Sequence, residues 1–239
     1  MKISIVIPVL NEELYLPELI KNLNLQTYPI WEVIVIDGGS TDYSLLIKDN
    51  KLNIKYIKAS RGISNQRNVG GNNASGEIIV FMDADVYPDP DFISNVITKF
   101  NNHKLKIACP YFLAYKSTWP TSLLHHFFNL LHSLAQYKYP TGAGCCIIIR
   151  KDVWLNSPGF NTDLKVIEDV EFIRVVAKKN LFRMINVRLY ISDRRFRKYG
   201  FFNQLRVYLN LSLRVLTHNL KSDKGIEAKY RFGRFQKKK

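Results

Sequence analysis

The amino-acid sequence predicts an α/β domain with a Rossmann-like, mostly parallel sheet that is covered by helices on both faces. Short apolar runs alternate with helical patterns through the first half of the chain, and polar residues follow where each run ends. Because the runs are apolar at nearly every position, they are expected to be buried on both faces, as strands of parallel sheets are. A length of 239 residues and a hydrophobic content of 46% are sufficient for one such domain.

The first half of the chain reads as repeated βαβ units. Its predicted strands cover residues 2–7, 32–36, 54–57 and 78–82, and its predicted helices cover residues 12–26, 42–49 and 63–73. Ligands of such sheets bind outside the carboxyl ends of the strands. The loops after the four strands, which hold most of the polar motifs, are therefore expected to meet at one crevice.

The second half is less regular. Strands are predicted near residues 106–112, 143–149 and 182–189, with an aromatic, apolar stretch at 119–139 and a charged helix at 168–179. Residues 201–220 have the apolar spacing of an amphipathic helix, which most often packs on its own domain. A basic tail follows at 221–239.

The net charge of +15 is concentrated at the end of the chain. From Arg194 onward there are 14 Lys and Arg against Asp223 and Glu227, which gives +12 and leaves +3 for residues 1–193. A nearly neutral body makes nucleic acid an unlikely partner. The tail mixes aromatic and basic residues, which suits an anionic membrane surface, although a merely solubilising tail is an open alternative.

Targeting signals are not evident in the sequence. No run reaches the roughly 18 uninterrupted apolar residues of a spanning helix, and the first ten residues read as a strand. The cysteines, Cys109, Cys145 and Cys146, show no zinc-like or disulfide spacing. We therefore expect a cytoplasmic protein, with peripheral association at the cytoplasmic face of a membrane as a further hypothesis.

Asp83-Ala84-Asp85 directly follows the predicted fourth strand. Two carboxylates one residue apart can hold a divalent cation such as Mg²⁺ or Mn²⁺ and leave positions open for a phosphate-bearing ligand. An isolated triplet of this kind is more often a solvated turn. The functional interpretation depends on the other loops at the same edge.

Asp37-Gly38-Gly39-Ser40-Thr41-Asp42 ends the second predicted strand. A carboxylate here can accept hydrogen bonds from a base or ribose, and the glycines permit close backbone approach. The alternative is an ordinary strand-to-helix turn capped by Ser40 or Thr41. Neither a P-loop nor a Gly-x-Gly-x-x-Gly motif is present, so the common alternative nucleotide sites lack support.

The order and spacing of the motifs resemble family 2 glycosyltransferases of the GT-A fold. The resemblance covers about residues 3–180 and rests on residues 6–12 (Val-Ile-Pro-Val-Leu-Asn-Glu), Asp37-Gly38-Gly39-Ser40-Thr41-Asp42, Arg67-Asn68-Val69-Gly70, Asp83-Ala84-Asp85, Gly159-Phe160 and Glu168-Asp169. The family usually has two acidic residues before the glycine of the second motif, whereas here Ile36 replaces the first. Asp37 is then the remaining carboxylate for base recognition.

The resemblance implies an inverting transfer of a sugar from a nucleoside diphosphate, with UDP preferred because of Asp37. The acceptor would be a hydroxyl or phosphate group, with a lipid-linked molecule as one candidate. The donor nucleotide would be bound by Pro8, Asn11, Glu12, Asp37, Gly39, Arg67 and Asp83. The resemblance places Asp85, with Asp83, on the metal.

Glu168 and Asp169 match the family motif that supplies the acceptor-activating base, and Asp169 is the favoured carboxylate. An attacking hydroxyl must lose its proton, so a carboxylate within hydrogen-bond reach is needed. The alternative is an ordinary acid in the first turn of a helix. Arg61, Arg194 and Arg195 are candidates for binding the diphosphate oxygens. For Arg194 and Arg195, a basic surface turn is an equally weighted alternative.

The resemblance also suggests how the chain is divided. A GT-A domain is predicted at residues 1–199, with a nucleotide-binding half at about 1–110 and an acceptor half at about 111–199, followed by the amphipathic helix and basic tail at 200–239. Two other functions stay open at this point: a nucleotidyltransferase, and a non-catalytic binding protein for membranes or nucleic acid that retains a nucleotide-binding fold.

Overall fold

The computed structural model describes residues 1–47 and 49–216, so the predicted basic tail lies outside the described residues. The described part contains one mixed sheet, whose strands are β1 (Ile3–Val9), β2 (Glu32–Asp37), β3 (Ile54–Lys58), β4 (Ile78–Met82), β5 (Val86–Pro88), β6 (Ile107–Tyr115), β7 (Cys146–Arg150) and β8 (Phe182–Ser192). Their order across the sheet is β3-β2-β1-β4-β7-β6-β8-β5.

The first four strands form the parallel half that the sequence predicts. β1 pairs in parallel with β2 and β4, and β2 pairs in parallel with β3. β6 and β8 are also parallel, whereas β7 runs antiparallel to β4 and β6, and β5 runs antiparallel to β8. The carboxyl ends of β1 to β4 therefore meet at one edge, and the sheet continues through the second half of the chain.

Helices cover both faces of this sheet. They are α1 (Leu16–Asn24), α2 (Ile63–Asn73), α3 (Phe92–Asn102), α4 (Trp119–Ala135), α5 (Lys151–Leu155), α6 (Glu168–Ala177), α7 (Arg194–Tyr199) and α8 (Phe201–Leu216). Alternate residues of β1 enter different cores, because side chains of a strand point to opposite faces in turn. Ile5 and Ile7 join the core with α1 and α3, while Val6 joins the core with α5 and α6.

Two predicted helices are shorter than expected. The predicted helix at 42–49 is a single 3₁₀ turn, Tyr43–Leu46, in which the Asp42 side chain accepts the backbone N–H of Ser44 and the chain returns to extended backbone at Ile47. The predicted helix at 12–26 begins at Leu16, since Pro17 fits the first turn of a helix but not its interior.

Close backbone contact holds α2 against β1. A Cβ added to Gly70 would lie 2.2 Å from Cγ1 of Val6, and one added to Gly71 would lie 2.4 Å from the ring of Trp154. Only glycine allows this close approach, which explains why two glycines lie within α2 although glycine is unfavourable in a helix interior. The contact fixes the position of Arg67, one turn earlier on α2.

The aromatic stretch after β6 forms α4, which packs with α7 and α8. The rings of Phe128 and Tyr208 are 5.7 Å apart, and so are those of Phe196 and Tyr208. α8 therefore packs on its own domain, as the more ordinary reading of its spacing predicts. Within the described chain, none of the helices combines the length and hydropathy needed to cross a membrane.

Candidate active site

The loops after β1 and β2 are joined by side-chain hydrogen bonds. Oδ1 of Asn11 accepts the backbone N–H of Thr41 at 2.8 Å, and the N–H of Asn11 donates to Oγ of Ser40 at 3.0 Å. Asn11 has a φ of 58°, a left-handed conformation that asparagine tolerates better than most residues. Gln66 of α2 fastens the same loops by donating to the carbonyls of Val9 and Ile36, both at 2.8 Å.

Asp37 and Gly39 lie at the predicted nucleotide-binding edge. Asp37 is buried at the end of β2 and accepts the N–H of Ser40 at 2.9 Å, while Gly39 has a φ of 92° that favours glycine. Pro8 lies beside Ile36 across the β1–β2 pair, and Ile36 is fully buried in the core. The unusual Ile36 is thus a core residue, and Asp37 is the acid at this strand end.

The backbone of the Asp83–Asp85 loop is held between β7 and β8. The N–H of Asp83 donates to the carbonyl of Cys145, and the N–H of Ser192 donates to the carbonyl of Asp85, both at 2.9 Å. The side chains stay partly accessible, 33% for Asp83 and 17% for Asp85. This is a fixed turn with two reachable carboxylates at the carboxyl end of β4.

Arg67 connects this loop with the start of α6. Its buried guanidinium donates to Oδ1 of Asp83 at 3.0 Å, to Oε1 of Glu168 at 2.9 Å and to the carbonyl of Gly144 at 2.8 Å. Burial acts to lower the pKa of Arg67, but the adjacent Asp83 and Glu168 carboxylates outweigh it and raise that pKa. The structure therefore brings together two carboxylates that are far apart in the sequence.

Asp169 lies in the first turn of α6, next to this ion-pair cluster. Its Oδ1 accepts the N–H of Val170 at 2.8 Å, and its side chain packs so closely on Gly144 that an added Cβ would lie 2.2 Å from Oδ2. Ile167, which precedes α6, has a left-handed φ of 59°, a strained conformation for a β-branched residue. Burial raises the pKa values of both Asp169 and Glu168, although Arg67 acts in the opposite direction.

Arg194 forms a second buried cluster. Its Nη1 and Nη2 donate to the two carboxylate oxygens of Glu12 at 2.6 and 3.0 Å, and its Nε lies 2.7 Å from Oδ2 of Asp85 as an ion pair without hydrogen-bond alignment. The guanidinium lies 4.5 Å above the centre of the Tyr15 ring. Burial raises the pKa of Glu12 to about 7 in spite of Arg194, and the neighbouring Asp85 acts in the same direction as burial.

The other two predicted diphosphate arginines lie elsewhere. Arg195 is half-buried on α7 beside Arg194, and Arg61 is exposed in the loop between β3 and α2. The basic surface turn considered for Arg194 and Arg195 is the start of the helix α7 in the structure. Arg194 contacts the predicted donor-site carboxylates Glu12 and Asp85.

The predicted metal ligands fit a hard cation in their chemistry. Asp83 and Asp85 supply carboxylate oxygens, and Mg²⁺ is commonly bound through one or two carboxylates together with substrate phosphates and water. Within residues 1–47 and 49–216, no three His, Cys, Asp or Glu side chains are arranged to hold a metal ion by themselves. A cation here would therefore depend on the diphosphate for part of its coordination.

Gly144, Gln66 and Tyr15 were not predicted to belong to the site. Gly144 is positioned by the Thr141–Gly144 loop before β7, and the glycines of that loop were a sequence signal of close backbone approach. Gln66 and Tyr15 offered no such signal, since each acts through partners distant in the chain.

The family model described as Glycosyl transferase family 2 matches residues 4–154 of the chain. The chain belongs to this family. The matched range includes the loops of Asp37 and of Asp83–Asp85, and it ends before Glu168 and Asp169. The predicted family membership is confirmed, and the sheet with its flanking helices matches GT-A glycosyltransferase structures.

Relatives of this family 2 chain include much longer proteins. It is 35% identical to the poly(ribitol-phosphate) beta-N-acetylglucosaminyltransferase TarS of Staphylococcus aureus over 111 residues, 43% of this chain and 19% of TarS. It is 28% identical to the minor teichoic acid biosynthesis protein GgaB of Bacillus subtilis over 201 residues, 78% of this chain and 22% of GgaB. The matched region thus spans about a fifth of the length of these relatives.

Solved structures show the same fold. Residues 1–349 of Staphylococcus aureus TarS in complex with UDP-GlcNAc have a TM-score of 0.66 and 26% identity, covering 81% of this chain and 59% of that one. The mannosyltransferase PcManGT from Pyrobaculum calidifontis, solved with GDP-Man and Mn²⁺, has a TM-score of 0.65 and 20% identity, covering 79% and 56%. The second likeness concerns the fold alone.

Proposed function

We propose that this family 2 protein is an inverting glycosyltransferase that moves a sugar from a nucleoside diphosphate sugar to an acceptor hydroxyl or phosphate. The observation that carries the proposal is the ion-pair cluster around Arg67, which joins Asp83 of the donor loop to Glu168 beside the candidate base. Family membership supplies the reaction class. A single displacement needs both a donor site and a base in one crevice, and the pairing of Arg67 with Asp83 and Glu168 supports such an arrangement.

In the proposed step, an acceptor oxygen attacks the anomeric carbon as the bond from that carbon to the diphosphate breaks. The acceptor proton passes to the carboxylate of Asp169, and the nucleoside diphosphate leaves with the electron pair. Asp169 suits this role because burial raises its pKa and strengthens it as a base. Glu168 is held by Arg67 and serves better as a positioning residue for α6.

Two kinds of cation are proposed to neutralise the negative charge of the departing diphosphate. Arg194, whose guanidinium lies among the donor-loop carboxylates, can make bidentate contacts with phosphate oxygens, and Arg61 and Arg195 are secondary candidates. A bound Mg²⁺ or Mn²⁺, held by Asp85 with Asp83, would neutralise charge that develops on the leaving group.

The preference for UDP rests on Asp37. Asp37 is buried at the end of β2, and a carboxylate can accept hydrogen bonds from a base edge. TarS, which is similar in fold, has been solved with UDP-GlcNAc. Pro8, Asn11, Glu12 and Gly39 are proposed to complete the nucleotide pocket. A lipid-linked acceptor and a location at the cytoplasmic face of a membrane belong to the same proposal.

A ligand screen tests the proposal directly. Purified protein is heated with nucleoside diphosphates and nucleotide sugars, with and without Mn²⁺, because a ligand that binds the folded state raises the unfolding temperature. We expect a selective rise with UDP compounds that Mn²⁺ enlarges, and slow release of UDP from the matching sugar donor. No rise with any nucleotide sugar, or release of pyrophosphate from nucleoside triphosphates instead, would reject the proposed function.

A further inference from the structure

The outer face of α4 is a row of large apolar side chains. Its exposed members recur at helical spacing and are between 41% and 78% accessible: Trp119, Leu123, Phe127, Leu130, Leu131 and Leu134. We name this row the α4 face. An apolar stripe this wide along one helix is unusual on a surface without a binding partner.

The opposite side of α4 is firmly attached to the domain. Asn129 accepts the N–H of Phe112 at 3.2 Å and donates to its carbonyl at 2.7 Å, which ties α4 to β6. His125 and Phe128 are buried, and their rings contact Phe196 of α7 and Tyr208 of α8. The α4 face is therefore the fixed outer side of an anchored helix.

Charge around the α4 face has one sign. Lys116 precedes α4 and Lys138 follows it, and residues 116–139 contain no acidic residue. Residues 194–216, which form α7 and α8 beside α4, contain no acid. Arg194 is buried against Glu12 and Asp85, and Arg197 pairs with Asp193, so the other basic residues of these helices are Arg195, Lys198, Arg206 and Arg214. A second copy of this surface, or a basic protein, would be repelled, whereas an anionic surface would be attracted.

The ends of the α4 face carry amphipathic rings. Trp119 lies at the start of the helix, 78% exposed, and Tyr137 follows its end, 73% exposed. Tryptophan and tyrosine are favoured at the level of lipid headgroups. At about 1.5 Å per residue, the 17 residues of α4 span roughly 26 Å, enough for several headgroups along a membrane surface.

We propose that α4 lies in the interface of an anionic membrane, with the α4 face inserted among the acyl chains. Lys116 and Lys138 contact lipid headgroups at its two ends, and the basic residues of α7 and α8 add long-range attraction. Such in-plane binding depends on buried apolar area together with attraction to anionic lipids. This contact rests on the membrane location included in the proposed function and names the surface that would provide it. Because membrane binding does not depend on glycosyl transfer, its test needs no substrate.

Vesicle flotation of the full chain tests the proposal. We expect the protein to float with vesicles of phosphatidylcholine and phosphatidylglycerol, less with phosphatidylcholine alone, and less at high salt. The double variant Leu130→Gln/Leu134→Gln should bind at least about tenfold more weakly, since two leucine side chains no longer enter lipid. The matched control Leu46→Gln/Leu155→Gln, at leucines 70% and 64% exposed elsewhere, should float like the wild type.

Tryptophan emission gives a second readout that does not depend on the leucine variants. Brominated lipids should quench the wild type and Trp31→Phe, while Trp119→Phe should lose the quenching. Unchanged thermal unfolding and UDP affinity in every variant would show that the fold and the donor site are intact. An absence of lipid binding can therefore be distinguished from a failure of the proposed glycosyl transfer.

Three results would overturn the proposal. The first is no flotation of the wild type with anionic vesicles. The second is equal flotation of the leucine double variant, which would assign binding to another part of the chain. The third is a dimer in sedimentation that the double variant dissociates, without any lipid binding, which would assign the α4 face to a second copy.

Discussion

Nε of Arg194 lies 2.7 Å from Oδ2 of Asp85, although the two residues are far apart in the sequence. The same guanidinium holds both carboxylate oxygens of Glu12. The start of α7 therefore closes over the loops of β1 and β4. One arginine neutralises two carboxylates that would otherwise repel each other at the candidate donor site.

Replacing Arg194 by Met should strongly destabilise the protein. Glu12 and Asp85 would lose their shared partner, and removing one side of a buried ion pair costs about 3–5 kcal/mol. Chemical denaturation measures the loss. Arg197→Met is the control, since the pair of Arg197 with Asp193 leaves the arginine exposed and should contribute about 1 kcal/mol or less. Equal losses in both variants would contradict the buried role of Arg194.

Gly144→Ala should slow turnover much more than it weakens donor binding. The new Cβ would lie 2.2 Å from Oδ2 of Asp169, so that side chain must move, and a displacement of about 1 Å can cost roughly 100-fold in rate. UDP release and UDP-sugar affinity are measured in parallel. Gly142→Ala is the control from the same loop, because its Cβ would meet Sγ of Cys109 instead. Normal turnover in Gly144→Ala would show that Asp169 is not the base.

Acidification should destabilise the fold through His125. Burial, assisted by His126, lowers the pKa of His125 from 6.5 to about 4, and neither ring nitrogen has a hydrogen-bond partner in the described structure. The unfolded chain therefore binds this proton more tightly, so the stability present above pH 6.5 is lost as the pH falls towards 4. The difference corresponds to at most about 3 kcal/mol.

The free energy of unfolding, measured between pH 7 and 4, tests this pH dependence. His125→Leu should flatten the pH dependence of stability, although half-buried His132, whose pKa is also lowered to about 4, will retain part of it. His126→Leu, at an exposed position on the same helix, should leave most of the dependence in place. An unchanged slope in His125→Leu would contradict the prediction.

Restoring an acid at position 36 should impair the protein. Ile36 is fully buried in the core with Val6 and Phe81, so Ile36→Asp would bury a charge and cost several kcal/mol. Leu46→Asp, at an exposed residue, is the control and should be nearly neutral. If Ile36→Asp were stable and bound UDP more tightly, the assignment of base recognition to Asp37 alone would be wrong.

The sequence predicted the parallel half of the fold well. β1, β2 and β4 are buried on both faces, so each is marked by continuous hydrophobicity, whereas β3 is partly exposed at the edge of the sheet. The loop motifs fall at the carboxyl ends of these strands. The helix α7 was missed because the charged segment from Arg194 resembles a solvated turn. Nothing local shows that Arg194 is paired with Glu12, since that contact depends on the final fold.

The sequence predicted which types of residue form the candidate site, but it predicted less well which of them contact each other. Asp83 and Glu168 are recognisable as motif residues, but their connection through Arg67 requires α2 to lie close on β1, which Gly70 permits. The contact of Gly144 with Asp169 likewise depends on how β7 enters the sheet. Such relationships result from packing, which a single sequence does not display.

We propose that Asp85 serves the donor and its metal, whereas Asp169 takes the acceptor proton. This division of roles is tested by calorimetric titration of a UDP-sugar with Mn²⁺ into the wild type, Asp85→Asn and Asp169→Asn. We predict that Asp85→Asn loses the Mn²⁺-dependent part of the affinity, and that Asp169→Asn binds like the wild type while its turnover falls by about 10²–10⁴. Equal affinities in all three proteins, or the same loss in both variants, would show that Asp85 and Asp169 do not divide these roles.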